Sequence, residues 1–169
     1  MLQVNDYVVF GATGVCQVMD IVHESFTGQS EREYYVLNPV FANSSTIYVP
    51  VDNHKVKMRQ IMTRDEITAL IQSMPSIESD WVADDQTRRV EFAEITKSGD
   101  PARLVRLIKM LNQRQSELQE AGKKLSSADA EAMKVAEQVL HNEFALVLDI
   151  QPEQVVPFII GQIDLLQYA

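Results

Sequence analysis

Along the first sixty residues the apolar positions come in short blocks separated by small and polar residues. YVVF (7–10) is followed by GATG (11–14) and then by VCQVMDIVHE (15–24). TGQS (27–30) precedes EREYYVLNPV (31–40), and NSS (43–45) precedes TIYVP (46–50). Blocks dense in valine, isoleucine and tyrosine and punctuated by Gly, Asn and Ser predict short strands joined by turns. In the last block Ile47 and Val49 share one face, while Thr46 and Tyr48 share the other, because strand side chains alternate. Pro50 stops that strand or places it on an edge. A small, highly curved sheet or barrel is expected.

From Thr63 the apolar period becomes that of helices. Thr63 and Glu66 have the spacing of a capping box, and Ile67, Leu70, Ile71 and Met74 follow on one face until Pro75. A second helix is predicted from about Asp84 to Lys97, ending at Gly99. Asp100-Pro101 restarts the chain as N-cap and first helical residue. The helix that follows carries Leu104, Leu107, Ile108, Leu111 and Leu118 as its apolar stripe. Ser126 or Ser127 starts another, with Met133, Ala136, Leu140, Phe144 and Val147 aligned, and Pro152 opens a last short helix. The fold class is therefore α+β, a small β module (1–62) followed by an all-α module (81–169). Residues 63–80 form a helix and linker, and SMPSIESD (73–80) is the linker candidate.

Composition narrows the function classes. The 169 residues are 46% hydrophobic and 23% charged, enough for a packed core. One cysteine, Cys16, excludes an intrachain disulfide. Neither a signal peptide nor a run of some eighteen apolar residues is found, so a cytoplasmic protein without membrane association is expected. The net charge of −9 is the opposite of what a free-standing, tight nucleic-acid binder carries.

That charge is unevenly placed. Residues 1–87 carry 5 basic and 12 acidic groups, and residues 125–169 carry 1 and 7. Residues 88–124 reverse the sign, with 9 basic and 5 acidic groups. The cations are Arg88, Arg89, Lys97, Arg103, Arg106, Lys109, Arg114, Lys123 and Lys124. On a helical wheel Arg103, Arg106, Lys109 and Arg114 cover one arc beside the leucine stripe. Two readings stand: a solvated helix flank, or a surface that meets successive phosphates. Trp81, the single tryptophan, lies in the acidic stretch ESDWVADD and also has two readings. It either packs the linker onto the helices or meets a partner or nucleobase as a partly exposed aromatic.

Catalytic chemistry is not indicated. His23 falls in a strand, His54 in a loop and His141 on the exposed side of a predicted helix, without metal-ligand spacing. Cys16 reads as a small packed hydrophobe. GATG (11–14) precedes a strand and lacks a following lysine, so it reads as a hairpin turn and not as a phosphate loop. Asp84-Asp85 suits the first turn of a helix through its dipole. No enzyme, metal, cofactor or small-molecule substrate is expected.

VNDYVVFGATGVCQVMDI (4–21), YYVLNP (34–39) and STIYVPVDN (45–53) together resemble the N-terminal RNA-polymerase-interacting module of the CarD/CdnL family and the transcription-repair coupling factor. RRVEFAEITKSGDPARLVRLIKML (88–111) and GKKLSSADAEAMKVAEQVLHNEFALVL (122–148) resemble the helical C-terminal module of CarD. The resemblance covers roughly residues 1–160. It implies a Tudor- or SH3-like barrel that docks on the RNA polymerase β subunit, with Tyr48, Thr46 and Ser25 as contacts. It also implies a helical module lying on promoter DNA at the upstream edge of the bubble and stabilising the open complex. The DNA contacts would be Trp81, Arg88, Arg89, Arg103, Arg106, Lys109, Lys123 and Lys124. DNA binding by the free chain would be weak, and polymerase tethering would supply the local concentration. The alternative is an adaptor that binds polymerase or another protein without touching DNA.

Overall fold

In the computed structural model of the chain, residues 1–26, 28, 30–41, 45–53 and 55–168 are described, the last three by backbone alone. His54 and parts of the predicted turns at 27–30 and 43–45 lie outside them. Five strands form one antiparallel sheet: β1 Tyr7–Phe10, β2 Gly14–Glu24, β3 Arg32–Pro39, β4 Ile47–Pro50 and β5 Met58–Gln60. Their order is β4-β3-β2-β1-β5, and no ladder joins β4 to β5 among the described residues, so the sheet is left open. A bulge between Val18 and Asp20 shifts the long β2–β3 pairing. Bulges of this kind bend a strand and increase its twist. β5, only three residues long, carries too little pattern to be read from sequence.

The helices begin and end where local chemistry dictates. Thr63 Oγ1 accepts from Glu66 N at 3.1 Å and the Glu66 carboxylate accepts from Thr63 N, so the capping box opens α1, Arg64–Ser73. Asp84 caps α2, Asp85–Ser98, by accepting from the Thr87 N–H and hydroxyl. Those two hydrogen bonds hold the Asp84 carboxyl below its usual range, the hydroxyl first. Gly99 ends α2 in the left-handed region (φ +63°), where a Cβ would lie 3.1 Å from Val9 Cγ1. Asp100 caps α3, Pro101–Glu120, and Ser126 caps α4, Ser127–Leu148. α5, Val155–Tyr168, is longer than expected and enters through a 3-10 turn at Pro152.

Two strand faces serve two cores. Val8, Cys16, Val18, Tyr35, Leu37 and Val49 pack within the sheet module. Val9 and Val15, on the other face, pack with Phe92, Ile95, Leu104, Leu107, Leu111, Ala136 and Val139 of the helices. Adjacent residues Val8 and Val9 thus enter different clusters, as the period of two requires. A third cluster joins Met62, Ile67 and Ile71 to Val105, Leu140, Phe144, Leu148 and Val155. Burial of this area is the main stabilising term and it crosses the module boundary.

One buried ion pair fastens that boundary. Arg59 of β5 donates from Nη2 to Glu143 Oε1 at 2.6 Å and from Nη1 to Oε2 at 2.8 Å. Met62 N donates to the same carboxylate at 2.7 Å, and Arg59 Nε donates to Gly99 O at 2.9 Å. Glu143 is fully buried, and its charge is matched on every side by donors.

Candidate functional site

Two surfaces carry the residues of interest, one at each side of the molecule's fold plan. The first is the β4 edge. Among the described residues β4 pairs with β3 alone, placing Tyr48 opposite Val36 and Val49 opposite Tyr35. The alternation buries Val49 against the sheet core, half-buries Ile47, and leaves Tyr48 about half exposed with Thr46 exposed beside it. Phe26 stands 5.1 Å from Tyr48 and 5.0 Å from Tyr34, centroid to centroid, although it is itself largely exposed. Ser25, exposed at the end of β2, adjoins Phe26. An edge strand with unpaired backbone groups and an exposed aromatic cluster offers both β-strand addition and side-chain pockets to a partner. Phe26 was not legible as part of this group, because only the β2–β3 and β3–β4 pairings bring it to Tyr48.

The second surface is built by α2, α3 and the start of α4, and here the predicted arc of cations divides. Arg88 is buried. Its Nε donates to Asp129 Oδ1 at 3.0 Å, Nη2 to Asp85 Oδ1 at 2.7 Å and Nη1 to Val82 O at 2.9 Å. Asp129 in turn stands at the capped N-terminus of α4, so Arg88 ties α2 to α4. The hydrogen bond donated to Asp129, outweighing burial, raises the guanidinium above its already high ordinary value. A guanidinium enclosed by two carboxylates presents no free fork to DNA, which speaks against the reading of Arg88 as a phosphate contact. Lys109 is likewise withdrawn. Its Nζ donates to Met74 O at 2.8 Å and Ile77 O at 2.6 Å, clamping residues 74–77 onto α3.

Trp81 is half-buried and framed by charge. The Arg88 guanidinium lies 4.5 Å and that of Arg114 5.1 Å from its ring, and Phe92 meets it edge-on at 6.4 Å. Cation–π contacts on the ring hold it against the helices. This geometry packs Trp81 onto the helices and leaves part of the ring in solvent.

Arg89, Arg106, Lys123 and Lys124 are exposed, and none has an ion-pair partner among the described residues. Arg103 is partly exposed and loosely paired with Glu94 at 3.6 Å. Residues between Arg103 and Lys124 span the length of α3, about 30 Å at 1.5 Å per residue. The exposed cations are therefore spread along a face and do not converge on one point, which suits a linear polyanion better than a single bound anion.

The remaining titratable groups lie elsewhere. Burial pushes the Cys16 thiol up to about 11, as an inert packed residue requires. His141, expected on an exposed helix side, is half-buried in a groove of about 490 Å³ between α3, α4 and α5. Desolvation there lowers its pKa below the ordinary value and raises that of Glu137, one turn earlier on α4. The helical moment of α4 is shared between two packed faces, and that is why sequence periodicity placed His141 on the wrong side. No single helix among the described residues is long and apolar enough to cross a membrane.

The CarD-like/TRCF RID domain matches residues 2–62, and the CarD C-terminal domain matches residues 69–159. No curated protein matches the chain.

Proposed function

Since the chain belongs to the CarD-like family of RNA-polymerase-interacting, non-enzymatic transcription regulators, we propose that it docks on the polymerase β subunit and stabilises promoter open complexes. The reading is carried by the collinear match of both modules in a single chain. The β4 edge, with Tyr48, Thr46 and Ser25, is the polymerase contact, and Phe26 and Tyr34 buttress Tyr48 there. Arg89, Arg106, Lys123 and Lys124, with Arg103 and the exposed rim of Trp81, are the DNA contacts. Tethering to polymerase supplies the local concentration that a chain of net charge −9 lacks by itself.

The adaptor reading is favoured by one observation, the withdrawal of Arg88 and Lys109 into the fold. The two readings separate in one experiment. Tyr48→Ala should weaken polymerase capture by roughly 30-fold, the loss of about 2 kcal/mol expected for a central aromatic contact. Replacing Arg89, Arg106, Lys123 and Lys124 together by Ala should leave capture intact and shorten open-complex lifetime. An unchanged lifetime would leave the adaptor reading standing.

A further inference from the structure

The acidic segment 1–87 holds only five cations, and three of them, Lys55, Lys57 and Arg59, fall within five residues. The sheet places this short run against the helices. β5 pairs with β1 so that Met58 faces Phe10, and Gly11 N donates to Lys57 O at 2.9 Å. The same turn receives the end of α2. Gly11 has φ +49°, and a Cβ on it would lie 2.9 Å from Val56 Cγ1 and 3.4 Å from Lys97 O. Lys97 and Arg103, forty residues on, therefore join Lys55 and Lys57 around one cleft.

This cleft, of about 510 Å³, is walled by Lys55, Lys57, Lys97 and Arg103 and floored by Phe10 and Val56. A second hollow of about 430 Å³ continues it past Lys57 and Arg103 toward Arg59. The three lysines are exposed, and none has an ion-pair partner among the described residues. Glu94 is the one acid on the first cleft, and its 3.6 Å pairing with Arg103 is between two solvated side chains, of the kind that contributes little. Asp100 lines the second hollow, so the local group is four cations against two acids, and with charge screened over roughly 8 Å at physiological ionic strength an approaching ligand meets this net positive group more strongly than the acids elsewhere on the chain.

We infer that this seam between sheet and helices is a second phosphate-contacting surface for duplex DNA, which meets the first at Arg103 and is separate from Arg89, Arg106, Lys123 and Lys124. The inference rests on the open-complex reading above. Continuity decides for DNA as the occupant. β4 and β5 are the two edges of the sheet, with no ladder between them among the described residues. The helices that flank the cleft, α2 and α3, also carry Arg89 and Arg106, so the cleft continues the proposed DNA-facing surface. Both modules then hold the same duplex, which fixes the orientation of DNA relative to the docked sheet.

The test uses the full chain with Lys55→Gln, Lys57→Gln and Lys97→Gln combined, a fluorescent promoter duplex between 25 and 100 mM salt, and polymerase–promoter complexes. Loss of three phosphate contacts should make the slope of log Kobs against log salt shallower by about 2.7. Open-complex lifetime should fall several-fold while polymerase capture and melting temperature stay the same. If slope and lifetime hold in this variant but fall in the Arg89/Arg106/Lys123/Lys124 variant, the seam inference is overturned and the open-complex reading survives. Loss of polymerase capture would overturn it in favour of an acidic protein segment. If the wild-type chain shows neither salt-dependent duplex binding nor any effect on lifetime, the open-complex reading fails and the seam inference with it.

Discussion

The Arg59–Glu143 pair joins two segments 84 residues apart, and its two halves should respond unequally to truncation. Glu143→Ala removes an acceptor of three short hydrogen bonds, two from Arg59 and one from Met62 N. The guanidinium left behind is 25% exposed and keeps Gly99 O and Gln60 O, so water recovers part of the loss. Breaking a buried pair costs about 3–5 kcal/mol, and partial exposure of the survivor puts this variant near 3. Arg59→Ala instead leaves a fully buried carboxylate with Met62 N as its one remaining donor among the described residues, and should reach about 5 kcal/mol. For a chain of this size about 3 kcal/mol lowers the melting temperature by roughly 6–12 °C. Urea unfolding followed by Trp81 fluorescence and by circular dichroism measures both variants. Because Val9 and Val15 share a core with the helices, the two probes should give coincident transitions in the wild type. Equal costs for the two variants, or a cost below about 1 kcal/mol for either, would refute the argument from unequal exposure.

Further outcomes follow from other parts of the fold. Trp81→Ala should cost about 2 kcal/mol, less than the 3–5 of a fully buried ring, and, measured where the variant is fully folded, should shorten open-complex lifetime; an unchanged lifetime would remove the ring from the DNA contacts. His141 is held below its ordinary value of 6.5, so the unfolded chain binds the proton first as pH falls. Its contribution is therefore present above pH 6.5 and lost as pH falls below it; denaturation of His141→Gln between pH 7.5 and 5.5 should show a smaller drop than the wild type. Ser126→Ala removes the acceptor for Asp129 N and should cost about 1 kcal/mol by chemical denaturation.

Local signals were legible without the structure because their physics acts within one helical turn. The Thr63–Glu66 box, Gly99 as the helix stop and Asp100-Pro101 as restart all sit at observed boundaries, and the structure places the cap of α4 on the first of the two serines expected there. The alternation through Tyr48 and Val49 likewise assigned an outer and an inner face, since side-chain direction in a strand depends on parity alone. The run of cations at 55–59 was visible too, but nothing near it in sequence gave it a use. What each charge meets was decided by tertiary structure. Arg88 and Arg89 are neighbours of identical type, yet α2 turns one toward Asp129 and the other to solvent. Arg59 finds Glu143, and Lys57 finds Lys97, only after β5 closes onto β1 and the end of α2 settles on the Gly11 turn. A charged side chain is a ligand contact or a structural strut according to the desolvation and partners its site imposes, and those are set by segments far away along the chain.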